Sequence, residues 1–299
     1  MHFYLWEDNQ KVMLTHNLRI FLEVANRRSI TETANARYIS QPAVSKAIQS
    51  LEKELSLKLF HRDKKNGMIP TEAGKKILLL ARQMEDLENR IRQTAFRENN
   101  FIGGKLRIAS VPVTTTALLS KVLRQYRETY PYVTVEIKED NPLAVQKMVE
   151  EHAVDFAITY APFGNLDAEI LIRDEMVGIL PLDSETGIIE ISKAADHMIL
   201  CRAGMETVTE RLPAGHGIDF SRSLLVQTAQ TVVRMVEEGN GVGLISKFTL
   251  SSISHNLRIC PIQPPLDTQI GLLAYDLADL TPVAQEFARM IRELCAEMI

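Results

Sequence analysis

From residue 18 to residue 60 the apolar positions recur at helical spacing. Leu18, Phe21, Leu22 and Ala25 fall at i, i+3, i+4 and i+7, which predicts a first amphipathic helix. Ser29 can cap a second helix over about 30–36, after which Tyr38 and Ile39 make a turn. Ser40 caps a third helix with Pro42 in its first turn, where a missing N–H costs least. In this helix Val44, Ile48, Leu51 and Leu55 make one buried stripe. Gln41, Ser45 and Gln49 make the opposite stripe, flanked by Pro42 and Lys46. A helix, a tight turn and a helix with a short polar outer face is the helix-turn-helix arrangement. His61-Arg62-Asp63-Lys64-Lys65-Asn66-Gly67 follows, and its Asn-Gly is a strong hairpin signal. A basic hairpin at this place reads as a wing.

Thr71 caps a long helix running to about residue 98. Its apolar or small residues, Ala73, Ile77, Leu80, Met84, Leu87, Ile91 and Thr94, are spaced 4, 3, 4, 3, 4, 3. That spacing is a coiled-coil seam and predicts a dimer held by Ile77, Leu80, Met84, Leu87 and Ile91. Asn99-Asn100 and Gly103-Gly104 mark a linker. From Lys105 strands alternate with helices. Strands are predicted at 106–110, 133–138, 155–160, 175–181, 197–201, 224–227, 243–246 and 269–275, and helices at 115–130, 143–151, 231–238 and 282–298. Such alternation implies a largely parallel sheet covered by helices.

Charge sharpens the division. The net charge is −4, but residues 1–97 carry 17 Lys+Arg against 11 Asp+Glu, and residues 98–299 carry 17 against 27. A basic block beside an acidic one predicts that the first meets a polyanion. Reading a major groove needs side chains short enough to enter and polar enough to face base edges. Gln41, Ser45 and Gln49 meet that need, with Ser40 at the helix start and Pro42 and Ala43 as compact partners for thymine methyls. Thr31 can place a hydroxyl or an N–H on phosphate, and Lys64 and Lys65 add charge in the hairpin.

The length of 299 residues favours two or three domains. Three cysteines, Cys201, Cys260 and Cys295, fit a reducing compartment rather than a disulfide framework. No apolar run approaches the ~20 residues that cross a bilayer. Phe3-Tyr4-Leu5-Trp6 is too short for a signal-peptide core. A cytoplasmic protein with no membrane partner is expected.

The acidic block lacks G-x-S-x-G, a phosphate-binding Walker loop and any Cys or His pair at metal spacing, so no catalytic residue, metal or cofactor is expected. His152, His197, His216 and His255 are scattered. Gly239-Asn240-Gly241-Val242-Gly243 follows a helix and leads into a strand, the reverse of the dinucleotide-binding order. Binding remains. In an open α/β sheet ligands sit at the carboxyl ends of strands, where helix starts offer free N–H groups. Ser110, Thr114, Thr115 and Thr116 occupy the first such connection, Asn141 the next and Thr159-Tyr160 the third; Gln227 and Thr228 hold a similar place in the second half. These residues predict a small polar or anionic effector, with plain helix capping as the competing role for Ser110 and the threonines. An enzyme or transport-type binding protein with a basic assembly segment is the alternative, and the missing nucleophile and leader speak against it.

Phe21, Ala25, Ser29, Thr31 and Ala34 continue into Ser40-Gln41-Pro42-Ala43-Val44-Ser45-Lys46, Ile48, Leu51-Glu52, Leu55, Leu59-Phe60, Arg62 and Thr71-Glu72-Ala73-Gly74. As a combined pattern this segment resembles the LysR-type transcriptional regulators. Tyr130-Pro131, Val154-Asp155-Phe156-Ala157-Ile158 and the run from Val236 to Gly243 are similar to landmarks of that family's effector-binding domain. Three positions depart from the pattern. Arg37 stands where the family usually has Leu, leaving Tyr38 and Ile39 to fill that space. Ser56 stands where Gly commonly ends the helix, and Thr33 replaces one of two paired alanines. Residues 1–15 look like extra sequence, with Met13 an alternative initiator to Met1.

The resemblance implies an α/β multidomain protein: an N-terminal winged helix-turn-helix (14–71), a coiled-coil linker helix (72–99) and a C-terminal two-lobed, periplasmic-binding-protein-like α/β effector domain (104–299). By it, the chain crosses between lobes near Ala161-Pro162-Phe163 and returns at 264–269. One lobe is then 104–162 with 268–299, and the other 163–267. It adds Lys46 and Arg62 as backbone or minor-groove contacts. It implies double-stranded promoter DNA and a small-molecule effector as partners, a homodimer paired into a homotetramer, and RNA polymerase as a candidate further partner.

Overall fold

The computed structural model describes residues 14–98, 102–202 and 218–298; Met1, Met13, the stretch 3–6, Asn99-Asn100 and His216 lie outside the described residues. The chain divides into two units, residues 1–100 and 101–299.

The first unit holds α1 (His16–Arg27), α2 (Ile30–Ala36), α3 (Gln41–Leu55), the hairpin β1 (Phe60–Asp63) and β2 (Gly67–Pro70), and the long α4 (Glu72–Glu98). Capping residues set the helix starts. Thr15, Ser29 and Ser40 accept the N–H of Leu18, Glu32 and Ala43, and Thr71 accepts that of Gly74. Each bond satisfies one donor that a helix leaves open at its first turn. Phe21, Val24, Val44, Ile48, Leu51 and Leu59 fill the core between the helices. Leu55, predicted within the buried stripe, is exposed, because the last turn of α3 runs past the core.

The three departures each find a local solution. Ser56 takes a left-handed φ of 54° at the end of α3, the posture of the glycine it replaces. Buried Thr33 donates its hydroxyl to the Ser29 carbonyl at 2.7 Å. Arg37 pairs with Glu23 at 2.9 Å, and Ile39 packs on the core. Tyr38, expected to help fill that space, instead has a left-handed φ of 53° and is 97% exposed, since that turn conformation throws its side chain outward.

In the second unit β3 (Gly104–Ser110) leads into α5 (Pro112–Thr114), a π turn (Thr115–Leu119) and α6 (Ser120–Thr129). Next come β4 (Val133–Glu139), α7 (Pro142–Glu150), β5 (Phe156–Tyr160) and the long β6 (Asp167–Pro181). The chain continues through β7 (Ile189–Glu190), α8 (Ile191–Ala194), β8 (Met198–Cys201), β9 (Leu224–Val226), α9 (Ala229–Glu237), β10 (Val242–Ser246) and α10 (Lys247–Ser251). It ends with β11 (Leu257–Cys260), β12 (Ile262–Gln263), β13 (Asp267–Ala274) and α11 (Pro282–Ala296). Strands β4, β3 and β5 run parallel, as do β10, β8 and β9. The pairs through β6 and β13 are antiparallel.

Strand β6 belongs to both lobes. Its residues 167–175 pair with β13, and from Met176 onward it pairs with β10 and β11. The first crossing therefore lies at Glu175 and Met176, not near Ala161-Pro162-Phe163. Residues 163–175 stay with the first lobe because β13 draws its antiparallel ladder from them. The return comes at Asp267, where β13 begins. The first lobe packs around Ile108, Phe156, Ile158, Leu272 and Phe287, and the second around Ile179, Ile199, Leu244 and Val232.

Candidate nucleic-acid interface and ligand cleft

The capped, proline-started α3 buries Val44, Ala47, Ile48 and Leu51. With that stripe fixed, the 3.6-residue period turns Gln41, Pro42, Ala43, Lys46 and Gln49 outward; Ser45 is half-buried and Ser40 is exposed at the cap. Thr31 is exposed in the first turn of α2.

Hairpin β1–β2 is fastened at its turn in two ways. The Asp63 carboxylate accepts the N–H groups of Lys65 and Asn66 at 2.9 and 2.7 Å, which holds that carboxyl below the usual range. Just past the turn the Met68 N–H donates to the Arg28 carbonyl at 2.8 Å. Gly67 has φ +76°, and a Cβ there would stand 2.2 Å from the Arg28 oxygen, so that position requires glycine. Arg62, Lys64 and Lys65 are exposed. Among the described residues neither they nor Lys46 has an acidic partner.

Helix α4 splits the predicted seam. Ile77, Leu78 and Ala81 pack on the head's core, Arg82 donates to the Asn26 side chain at 3.2 Å, and buried Glu88 pairs with Arg19 at 2.6 Å. Leu80, Met84, Leu87 and Ile91 are about half exposed and repeat at 4, 3, 4 along the other side. Ile77 is half-buried and packs on the head's core, sharing a helical face with Ala81.

In the second unit most of the predicted hydroxyls are bonded internally. Thr114 is fully buried and donates to the carbonyls of Val111 (2.9 Å) and Ile158 (3.1 Å), tying two strand ends together. Thr116 donates to the Pro112 carbonyl. Asn141 caps α7, accepting the Ala144 N–H at 3.0 Å, and Thr228 caps α9, accepting that of Thr231 at 3.2 Å. Gln227 is exposed, and its carbonyl receives the Cys201 thiol at 3.5 Å.

Two of the expected residues meet at the carboxyl edge of the first lobe's sheet: the Ser110 and Thr115 hydroxyls are hydrogen-bonded as the π turn starts. Ser110 pairs across the ladder with Ile158, so Thr159 is one residue beyond it on the neighbouring strand. Thr159 is fully buried, and its hydroxyl has no hydrogen-bond partner among the described residues. A buried hydroxyl without a partner calls for an explanation, of which a bound ligand is one.

Tyr160 has another role. Its hydroxyl is buried between the Ser246 (2.9 Å) and Thr249 (2.7 Å) hydroxyls of the second lobe, and burial raises its pKa well above the ordinary phenol value. Asp174, from the crossing strand, accepts the Phe248 N–H at 3.1 Å, and burial pushes its carboxyl up. Phe248 itself packs into the first lobe's core. Tyr160, Asp174, Ser246 and Thr249 therefore form the polar joint between the lobes. Of these four only Tyr160 is among the site residues expected from the sequence; Ser246 ends a predicted strand, and Asp174 falls at period two between Ile172 and Met176. No group of three or more His, Cys, Asp or Glu among the described residues could hold a metal, and no described helix is long and apolar enough to cross a membrane.

A winged helix-turn-helix joined to a two-lobed α/β domain defines a transcription regulator with a sensing domain. The model of the bacterial regulatory helix-turn-helix proteins of the lysR family matches residues 15–75, and that of the LysR substrate binding domain matches residues 100–296. The chain belongs to the LysR-type transcriptional regulators. It is 37% identical to the HTH-type transcriptional regulator YoaU of Bacillus subtilis over 94% of this chain and 98% of that one. Its fold is similar to a full-length, singly substituted OxyR of Pseudomonas aeruginosa (TM-score 0.69, 18% identity, 94% and 97% of the two chains). It is also similar to full-length BenM (TM-score 0.55, 21% identity, 96% and 98%).

Proposed function

We propose that a dimer of this regulator reads a dyad-symmetric duplex with Gln41, Pro42, Ser45 and Gln49 on base edges. Thr31, Ser40, Lys46, Arg62, Lys64 and Lys65 contact the sugar-phosphate backbone or the minor groove. The seam is Leu80, Met84, Leu87 and Ile91, and two dimers join through their effector domains. A small polar or anionic molecule held between the lobes, near Ser110, Thr115 and Thr159, changes how the heads engage promoter DNA in the cytoplasm, and through that RNA polymerase. The observation that carries the reading is the head's own: a short polar helix face beside exposed cations that have no acidic partner among the described residues. That combination suits a polyanion with readable edges.

The test is binding of a duplex enriched by the full-length protein from a random pool, followed across salt concentrations. Gln41→Ala and Ser45→Ala should each cost about 1–3 kcal/mol on that duplex and little on an unrelated one. Lys65→Ala should weaken all sequences alike and lower the log–log salt slope by about 1. Should neither Gln41→Ala nor Ser45→Ala change specific affinity, the reading face lies elsewhere.

A further inference from the structure

We infer that Glu52 is a positioning residue that aims the wing, by clamping the three residues from which the wing and the linker helix both depart. Glu52 is on the buried side of α3, one turn past the reading face, and is 9% exposed. One carboxylate oxygen accepts the N–H of Leu59 at 2.9 Å and of Phe60 at 3.4 Å. The other accepts the Lys58 ammonium at 2.7 Å. Burial pushes this carboxyl up, but Lys58 and the two N–H donors outweigh it, and the group is held below the usual range. Phe60 is the first residue of β1, and Arg62 follows two positions later on the same strand.

The opposite side of the same segment belongs to α4. The Thr71 hydroxyl donates to the Lys58 carbonyl at 2.6 Å, and the Thr71 N–H to the Leu59 carbonyl at 2.9 Å. Thr71 is also the cap that starts α4. Gly74, in the first turn, approaches so closely that a Cβ would stand 2.1 Å from the Leu59 oxygen. Residues 58–60 thus have their N–H side held by the recognition helix and their carbonyl side by the linker helix. Because β1 grows out of this joint, Glu52 sets the direction of the Arg62 side chain relative to α3 from the base of the strand, while the Met68–Arg28 bond holds the opposite strand nearer the turn. Removing the carboxylate strands the fully buried Leu59 N–H and frees the strand base to tilt.

This inference rests on the proposed wing contact of Arg62, and a double-mutant cycle separates the two. Full-length protein and its Arg62→Ala, Glu52→Ala and doubly substituted forms are titrated with the duplex enriched by the unsubstituted protein. Arg62→Ala should weaken binding roughly ten-fold or more in the unsubstituted background, a share typical of one charge-assisted contact. In the Glu52→Ala background its effect should shrink clearly, since a wing held by the Met68–Arg28 bond without its strand base is less firmly aimed. Glu52→Gln keeps an acceptor for the Leu59 N–H and should restore part of the Arg62 effect. If Glu52→Ala fails to fold, the cycle is run on Glu52→Gln, where the Arg62 effect should be reduced. An Arg62 effect equally large in every background would mean that Glu52 only stabilises the head, and would overturn the inference. No Arg62 effect even in the unsubstituted protein would overturn the wing contact and the inference with it.

Discussion

The head and the effector domain treat their polar side chains in opposite ways. On α3 and the hairpin, Gln41, Gln49, Arg62, Lys64 and Lys65 stand outward with no ion pair among the described residues. In the α/β unit, Thr114, Thr116, Asn141, Thr228 and Tyr160 each bond to the protein's own backbone or to a neighbouring hydroxyl. The difference follows from where each group is found. A helix face pointing to water has no internal acceptors near it, so its polar groups stay available to an incoming duplex. A strand end meets the first turn of the next helix, whose open N–H and C=O groups claim any hydroxyl within reach. Free polar groups in the head therefore support the proposed reading face, whereas hydroxyls at strand ends support a binding site only after their internal bonds are subtracted.

The largest effect that bears on this comparison is assembly. Leu80 and Leu87 are large apolar groups left exposed on a helix whose other face is buried against the head. Replacing both with Asp puts like charges along the seam and should give a monomer by sedimentation. Affinity for a dyad-symmetric duplex should fall at least roughly 100-fold, because the second half-site is no longer tethered. An unchanged oligomer would make α4 a spacer and leave the head as a reader of single sites.

The sequence carries the head almost completely because its signals are local. Ser29, Ser40 and Thr71 cap the helices they were expected to cap, and α2 has the predicted bounds. The strand–helix alternation of the second unit is equally readable. What escapes it depends on tertiary pairing. Residues 167–174 alternate charged and apolar side chains too unevenly to announce a strand, and only the ladder to β13 makes them one. The crossing point is a matter of register, which no single segment contains. Tyr160 looks like any residue at a strand end; what reaches its hydroxyl is Ser246 and the short helix α10, and that helix has no periodicity of its own.

A smaller effect tests the internally bonded class directly. Thr114→Val keeps the side-chain volume and removes a hydroxyl that bridges the carbonyls of Val111 and Ile158. The full-length protein should lose about 1–2 kcal/mol of unfolding free energy, read from denaturant midpoints at constant m. Duplex affinity under native conditions should be unchanged. A neutral result would mean that these strand-end bonds contribute little, and subtracting them would be unjustified.

The smallest effect on stability belongs to the one hydroxyl that survives the subtraction. Thr159 is as buried as Thr114, yet its oxygen has no partner among the described residues, so valine at that position loses no bond and relieves an unpaired polar group. Thr159→Val should leave the unfolding midpoint unchanged or slightly raised. Small carboxylates, phosphates and neutral polyols can be screened for stabilisation of the unsubstituted protein, since a ligand that binds only the folded state raises the midpoint. The affinity of any hit is then compared with that of Thr159→Val by calorimetry. A loss of roughly ten-fold, about 1.4 kcal/mol, is the expected share of one hydrogen bond from a buried hydroxyl. If Thr159→Val destabilises the fold as Thr114→Val does, the hydroxyl is bonded internally after all, and the two threonines belong to one class. If a hit binds both forms equally, the effector lies away from the carboxyl edge of β5, and the cleft must be sought among other residues of the two lobes.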